Sequence, residues 1–427
     1  MKITKLFYIF CFSFFIFTST LHAKTFTYSQ IHSMPKSIEK DYYIWRFLSQ
    51  PYTTSTEARN IIKEASHINK KLRISYKART GQKTPKINAK RLTTPEHIWK
   101  RRSRANKYFK QGLRLLKKKL PQRAASYFDA ARKNYIKQSE VDKTLFWLYL
   151  STKNVIYLKH LQQSHNPNIY TLLAADSMKA TYPKTVTERF RKSKTDGHDI
   201  KNPIHWAKVK EKMYQSDEEE IDDLADEYAS QECIGIYTYL KAKACNHKKA
   251  YFPMPYRDLM KQLSPQRQAL IYAIARQESR FVPASVSRSF ALGMMQFMPF
   301  LIKDIAKKKG YTMDLDEMFN PYRAIEFADF HLDYLNKYLY HPLFVAYAYN
   351  AGIGFTKRHL KNKHHFRAGA YEPYMSMETM KNAEAREYGK KVLANYVIYL
   401  NKLGVSTRIT PLITILATPS KTDSFRK

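Results

Sequence analysis

One glutamate, Glu278, ends an apolar helical stripe, and that placement suits a proton donor. The run 264–279 reads SPQRQALIYAIARQES. Ser264 is a good N-cap, and Pro265 suits the first helical position, where a missing N–H costs nothing. Leu270, Ile271, Ile274 and Ala275 recur at helical spacing, and Glu278 falls four residues after Ile274. The carboxyl group therefore continues the stripe. Burial disfavours the charged form, so its pKa is expected above the ordinary value, and an acid still protonated near neutrality is what general acid catalysis requires. The commoner fate of a helical glutamate is to bend toward solvent or pair with an arginine, here Arg276 or Arg280.

The elements that must position this group are helical. The chain has 427 residues, room for two or three domains, and only 11 glycines, too few for the turns of a sandwich or barrel. Helices of ten to twenty residues are expected at 37–48, 56–66, 104–117, 121–135 and 141–151. The segments 105–112 and 124–131 look like antiparallel hairpins of an irregular, solenoid-like superhelix without a strict repeat. Basic stretches at 77–94 and 185–202 read as exposed loops, and the acidic run 217–220 as a helix start. Pro253 and Pro255 mark a boundary near residue 252. Beyond it, Asn320-Pro321 caps a helix with the apolar face Ile325, Ala328, Leu332, Leu335 and Leu339. Pro342 begins a helix that Gly352 ends, and a helix at 383–403 closes at Gly404. The tail 405–427 carries few signals and is read as poorly ordered.

Residues 1–23 read as a cleavable export signal: Lys2 and Lys5 precede a short apolar core from Leu6 to Phe17, with Ala23 before the cut. The mature protein is expected to be soluble in the periplasm. Removing the two lysines takes the formal charge from +38 to +36. Export argues against nucleic acid as the partner and leaves anionic wall polymer and acidic membrane surfaces. A disulfide between Cys233 and Cys245 is open on these grounds. It requires a turn at Gly235 or after Leu240, because unbroken helix would part the pair by about 18 Å. The histidines show no metal-ligand spacing and no phosphate-binding glycine loop occurs, so no cofactor is expected.

Four motifs stand between residues 251 and 399. They are Glu278-Ser279 with Pro283, then Gly293-Met294-Met295-Gln296-Phe297-Met298-Pro299, then Ala348-Tyr349-Asn350-Ala351-Gly352, and last Glu384-Ala385-Arg386-Glu387-Tyr388 followed by Val392-Leu393 and Tyr399. In this order and spacing the segment resembles the soluble lytic transglycosylases of the bacterial cell wall. The segments 41–48 and 251–256 resemble the superhelical domain and junction of their large soluble subclass. The family usually has glycine where Phe290 stands, Asn and Gly at Ala324 and Ala328, and proline near Lys381.

The resemblance implies an all-α chain, with an α-superhelical domain over 24–250 and a lysozyme-like catalytic domain over 251–404. It implies cleavage of the β-1,4 bond between N-acetylmuramic acid and N-acetylglucosamine in peptidoglycan. Glu278 would be the single catalytic acid, with formation of a 1,6-anhydro sugar. Carried over by motif, Ser287 would orient the muramoyl unit, and Gln296 and Met298 would line the groove. Tyr349 and Asn350 would sit beside Glu278, and Glu384 would contact substrate, while Tyr388 reads as packing and Ser279 as closing the helix end. Two other readings remain: a hydrolytic muramidase, which needs a second carboxylate such as Asp304, Asp314 or Asp316, and a non-catalytic wall-binding scaffold.

Overall fold

Many helix starts are capped by short polar side chains, and the computed structural model, which describes residues 24–86 and 95–426, is built of helices throughout. Among the described residues the only β pairing consists of isolated bridges. Ser264 Oγ accepts from the Arg267 amide, Asn320 from Tyr322 and Asn382 from Ala385. Asp217 caps the helix Glu218–Asp226 in a capping box, with three glutamates in the first turn facing the positive dipole end. The segment read as an export signal, 1–23, lies outside the described residues.

From Glu96 to Ser177, each helix packs on the one before it. Glu96–Lys117, Pro121–Asn134, Gln138–Thr152, Ile156–Gln162 and Ile169–Ser177 follow in succession. The expected hairpin is the first pair, and it is close because Gly112 lies on the Phe128 ring: a Cβ there would stand 2.6 Å from the ring. Phe109, Phe128 and Trp147 then form one aromatic cluster across three helices. The segment 185–202 carries no helix, as expected.

Pro253 and Pro255 interrupt the helical pattern, and no helix spans 245–256. Their carbonyls accept from the hydroxyls of Tyr399 (3.0 Å) and Tyr272 (2.9 Å), whose rings stack at 5.1 Å. The junction is thus fastened to the two long helices behind it, Pro265–Glu278 and Ala383–Lys402. These two pack along each other, and Pro342–Ala351 packs on the second. The buried face of Pro321–Asn336 contains Ile325, Ala328, Leu332 and Leu335, with Leu339 just past its end. Gly352, at φ +83°, ends the Pro342–Ala351 helix.

One expectation fails, and the cysteine pairing left open does not form. The tail is ordered, not loose: Ile409–Thr414 is helical, and Ile409, Ile413 and Leu416 are buried. The Thr410 amide donates to Asp176 at 2.9 Å, and Arg426 pairs in the interior with Asp423 at 2.7 Å. An apolar residue every third or fourth position in so short a run is enough to dock a helix that could not stand alone. The cysteines are free. Cys233 and Cys245 cap opposite ends of one unbroken helix, Ile234–Ala244, so the turn that a disulfide needs is missing.

Helices Pro342–Ala351 and Ala383–Lys402 meet at Gly389, where a Cβ would stand 2.2 Å from the Tyr347 ring. Gly389→Ala is therefore expected to destabilise the fold by about 1–3 kcal/mol despite alanine's better helix propensity. Thermal unfolding should show a lower midpoint; a rise would mean that the ring moves aside freely.

Candidate active site

The helix Pro265–Glu278 ends at Glu278, because Arg280 and Phe281 take positive φ (+55° and +68°) and turn the chain away. Phe281 fits there because Gly235 lies against its carbonyl, where a Cβ would come within 2.4 Å. Ser279 is buried and donates its hydroxyl to the Met294 carbonyl at 2.8 Å, tying the helix end to the loop that follows. That loop is a small double hairpin. Leu292 and Phe297 exchange backbone hydrogen bonds, and Val286 bridges to Leu292. Gly293, at φ +78°, lies on the Met318 carbonyl, with no room for a Cβ (2.1 Å).

The Glu278 side chain keeps some exposure, and its Oε1 accepts from the Tyr388 hydroxyl at 2.7 Å. Neither neighbouring arginine reaches it. Arg276 lies over the Phe252 ring and bonds Tyr251 and Asn395, and Arg280 faces the ring of Tyr239. Burial pushes the Glu278 carboxyl up from 4.5 to about 7, the negative charge of Glu384 adds to the rise, and the Tyr388 bond opposes it. Tyr388 itself is pushed well above its ordinary range by burial and by Glu278, so it stays a proton-bearing donor.

A cavity of about 500 Å³ is lined by Gln296, Met298, Tyr349 and Asn350 among others, not by Glu278 or Tyr388 themselves; Tyr349 connects cavity and acid, because the Glu278 charge reaches its buried phenol. Gln296, at φ +52°, commits its amide nitrogen to the carbonyls of Ser285 and Gly293. Met298 precedes the helix Pro299–Lys308 as its N-cap. Tyr349 donates to the Met295 carbonyl at 2.9 Å and packs on Phe297 and His331. Asn350 reaches Glu384 at 3.4 Å. Four of the six residues expected around the acid thus share one cavity, and Glu384 joins them through Asn350. Ser287 is not among the lining residues; its hydroxyl oxygen accepts from the amides of Ala291 and Ser289 within its own turn.

Two functional features escaped the sequence. Tyr388, read as packing, makes the direct bond to the acid. Its position four residues after Glu384, on the same helix face, was the available signal. His331 and the exposed Phe300 also line the cavity. Burial holds His331 down to about 4, so it is neutral near pH 7. Among the described residues no group of three metal-ligating side chains converges.

With this geometry in place, comparison with known proteins is informative. Residues 260–371 match the model of the transglycosylase SLT domain. The soluble lytic murein transglycosylase of Escherichia coli K12 is 29% identical over 178 residues, 40% of this chain and 27% of the relative. The Salmonella typhimurium protein of the same name is 28% identical over 177 residues. The chain therefore spans about a quarter of the length of these curated relatives. Among solved structures, an inactive mutant of lytic transglycosylase Slt from Pseudomonas aeruginosa aligns with a TM-score of 0.48 at 18% identity, over 90% of this chain and 62% of that one. The 70 kDa soluble lytic transglycosylase from E. coli aligns with a TM-score of 0.45 at 19% identity, over 92% and 67%. Glu278, the loop through Met298 and the pair Tyr349 and Asn350 all fall inside the SLT segment, whereas Glu384 and Tyr388 lie beyond it.

Two measurements follow from the electrostatics. Folding takes up a proton at Glu278 between pH 4.5 and about 7, so this group's contribution to stability falls as pH rises through that window. Glu278→Gln removes the titration. The variant should be more stable than the parent at pH 8, by at most on the order of 3 kcal/mol, with the gap closing near pH 4.5. Urea unfolding at both pH values checks this, and an equal gap at both would rule out the buried carboxyl as its source. Tyr388→Phe deletes the bond that favours the carboxylate, so the Glu278 pKa should rise by about one further unit. Carbon-13 NMR of labelled glutamate side chains reads that shift, and a fall would contradict the bond.

Proposed function

We propose that this chain is a periplasmic lytic transglycosylase of cell-wall turnover. It cleaves the β-1,4 bond between N-acetylmuramic acid and N-acetylglucosamine in peptidoglycan and leaves a 1,6-anhydro-N-acetylmuramic acid end. The observation that carries this reading is Glu278: a carboxyl raised to about 7, held by one phenol, with Tyr349 between it and a cavity lined by aromatic side chains and Met298. In this reading residues 24–250 form the scaffold and 251–404 the catalytic part. Export to the periplasm rests on the sequence 1–23; among the described residues no helix is long and apolar enough to cross a membrane.

The chemistry needs one carboxyl group used twice. Protonated Glu278 gives its proton to the glycosidic oxygen as the bond to the anomeric carbon breaks and positive charge builds there. The substrate's own acetamido group stabilises that charge. The carboxylate, now bonded only to Tyr388, takes the proton of the muramoyl C6 hydroxyl as its oxygen bonds to the anomeric carbon. A nucleophile already attached to the sugar has a large effective concentration, so no protein nucleophile is required. Gln296, whose nitrogen is committed to backbone, offers its amide oxygen to sugar hydroxyls, Asn350 offers its amide, and Met298 an adaptable apolar wall.

Hydrolysis is the second reading. Asp314 and Asp316 do not favour it, because both are held by Arg46 at 2.6 and 3.0 Å. Asp304 lines the cavity but pairs with Lys308 at 2.7 Å. Glu384 alone favours it, because its charge is felt at Glu278. Mass spectrometry of digested sacculi separates the two: anhydro ends are expected, and reducing ends carrying a water would overturn the lyase assignment. Glu278→Gln should lose roughly 10³-fold in turnover while still sedimenting with sacculi; an active variant would remove Glu278 from the chemistry.

A further inference from the structure

Lys24 follows Ala23, where the sequence reads the export signal to end, and from there the chain is docked at once. The Phe26 ring is buried, set against Tyr43 at 5.2 Å with the Arg46 guanidinium over it. The Gln50 amide clips the Phe26 backbone twice, accepting from its N–H at 2.5 Å and donating to its carbonyl at 2.9 Å. Thr27 then caps the helix Tyr28–His32 in a capping box. A start fixed in this way holds the backbone nitrogen of Lys24 in place, and that nitrogen donates to Asp314 Oδ2 at 2.9 Å.

The acceptor lies 290 positions along the chain, in the part that carries the groove. Asp314 caps the turn Leu315–Phe319, and its side chain is 12% exposed. Burial alone would raise its carboxyl, yet Arg46 and backbone donors, the Lys24 N–H among them, hold it below its ordinary value. Asp316 takes Arg46 at 3.0 Å, the Tyr42 hydroxyl at 2.7 Å and the Lys24 side-chain ammonium at 3.4 Å. Arg46 thus serves both carboxylates, while the Lys24 side chain is 60% exposed and adds little. At the far end of the same turn the Met318 carbonyl lies on Gly293. What steadies Asp314 therefore also steadies the loop that carries Gln296 and Met298.

In a chain still joined to residue 23, the Lys24 nitrogen is a neutral amide. Hydrolysis of the Ala23–Lys24 peptide bond leaves a carboxylate on Ala23 and an amine on Lys24, which takes a proton near neutral pH. A neutral donor then becomes a charged one facing an ionised carboxylate, and such bonds are about twice as strong. We infer that removal of the export signal completes an ion pair between the new amino terminus and Asp314, so that processing locks the amino-terminal helices onto the groove-bearing part. The inference rests on the export reading of residues 1–23 for the cut, and on the contact between Lys24 and Asp314 for the lock. An unprocessed chain lacks the lock and is easier to keep unfolded for passage across a membrane.

The test compares chains that begin at Lys24 with chains that begin at Ala23, each as parent and as Asp314→Asn, all running to the natural carboxyl end. In urea unfolding at pH 7 the Lys24 start should raise the ratio of folded to unfolded protein roughly fivefold over the Ala23 start. Asp314→Asn keeps a capping side chain but removes the charge, and should erase that difference. A second measurement needs no substitution. An α-amine ordinarily loses its proton near pH 8 and pairing raises that value, so the advantage is present at pH 7 and lost by about pH 10. The amine faces Asp314, Asp316 and Arg46, which keep their charges over that range, and Tyr42, which burial keeps protonated. Equal stability of the two starts, or an advantage that survives in Asp314→Asn or at pH 10, would overturn the inference. Mass spectrometry of the exported protein tests the cut: a first residue of Lys24 supports it, and any other first residue removes the lock. A chain that retains residues 1–23 sinks the export reading, whereas the stability comparison separately decides the ion pair.

Discussion

The structure turns on the meeting of a carboxyl and a phenol where two long helices pass each other. Enclosing a carboxylate with a single hydrogen-bond donor is unfavourable, so Glu278 holds its proton to about neutral pH. The packing behind it keeps that donor count low. Arg276 is drawn off to Phe252 and Asn395, and Arg280 to Tyr239, so no cation stands close enough to charge the carboxyl at lower pH. Had either arginine turned inward, the same glutamate would be an ordinary ion-paired residue.

Around that contact, the rest of the chain serves as a frame. One core runs from Phe26 through Ala174 and on to Leu416, joining most of the first-half helices to the SLT segment, while the helices within 203–244 pack in a second cluster against Val282 and Ala284. The Tyr388 helix is fixed from the scaffold side by a buried cluster: Tyr170 donates to Glu378, and Lys390 bridges Glu378 at 2.9 Å and Glu387 at 3.1 Å. Removing one partner of such a cluster leaves an uncompensated charge inside, which is why it holds helix position firmly. On the other side Arg46 clamps Asp314 and Asp316, and Tyr42 donates to Asp316 at 2.7 Å.

Much of this was legible in the sequence, for identifiable reasons. Ser264-Pro265, Asn320-Pro321 and Gly352 are strong local signals, and the helices they bound appear where expected. Glu278 was legible because an apolar stripe ended in a carboxylic acid. Tyr388 was not, because a tyrosine in an apolar helix face packs and donates equally well, and only the partner helix decides which. The tail was misread because its stability comes from docking on residues more than two hundred positions away, such as Asp176. The cysteine pairing, open in the sequence, is excluded by a plain length of helix that the sequence allowed but did not enforce.

Phe290 holds a left-handed backbone, at φ +60°, that glycine adopts most readily. Its ring is stacked on Trp45 at 5.6 Å and set edge-on to Tyr42 at 6.0 Å. The carbonyls of the two preceding residues, Arg288 and Ser289, accept from Asn69 and Lys71. The groove-forming loop is thus plugged into the amino-terminal helices like a peg in a socket. An excised fragment beginning at the proline junction would carry a bare phenylalanine and two orphaned aspartates on its surface, a poor candidate for life as an independent module.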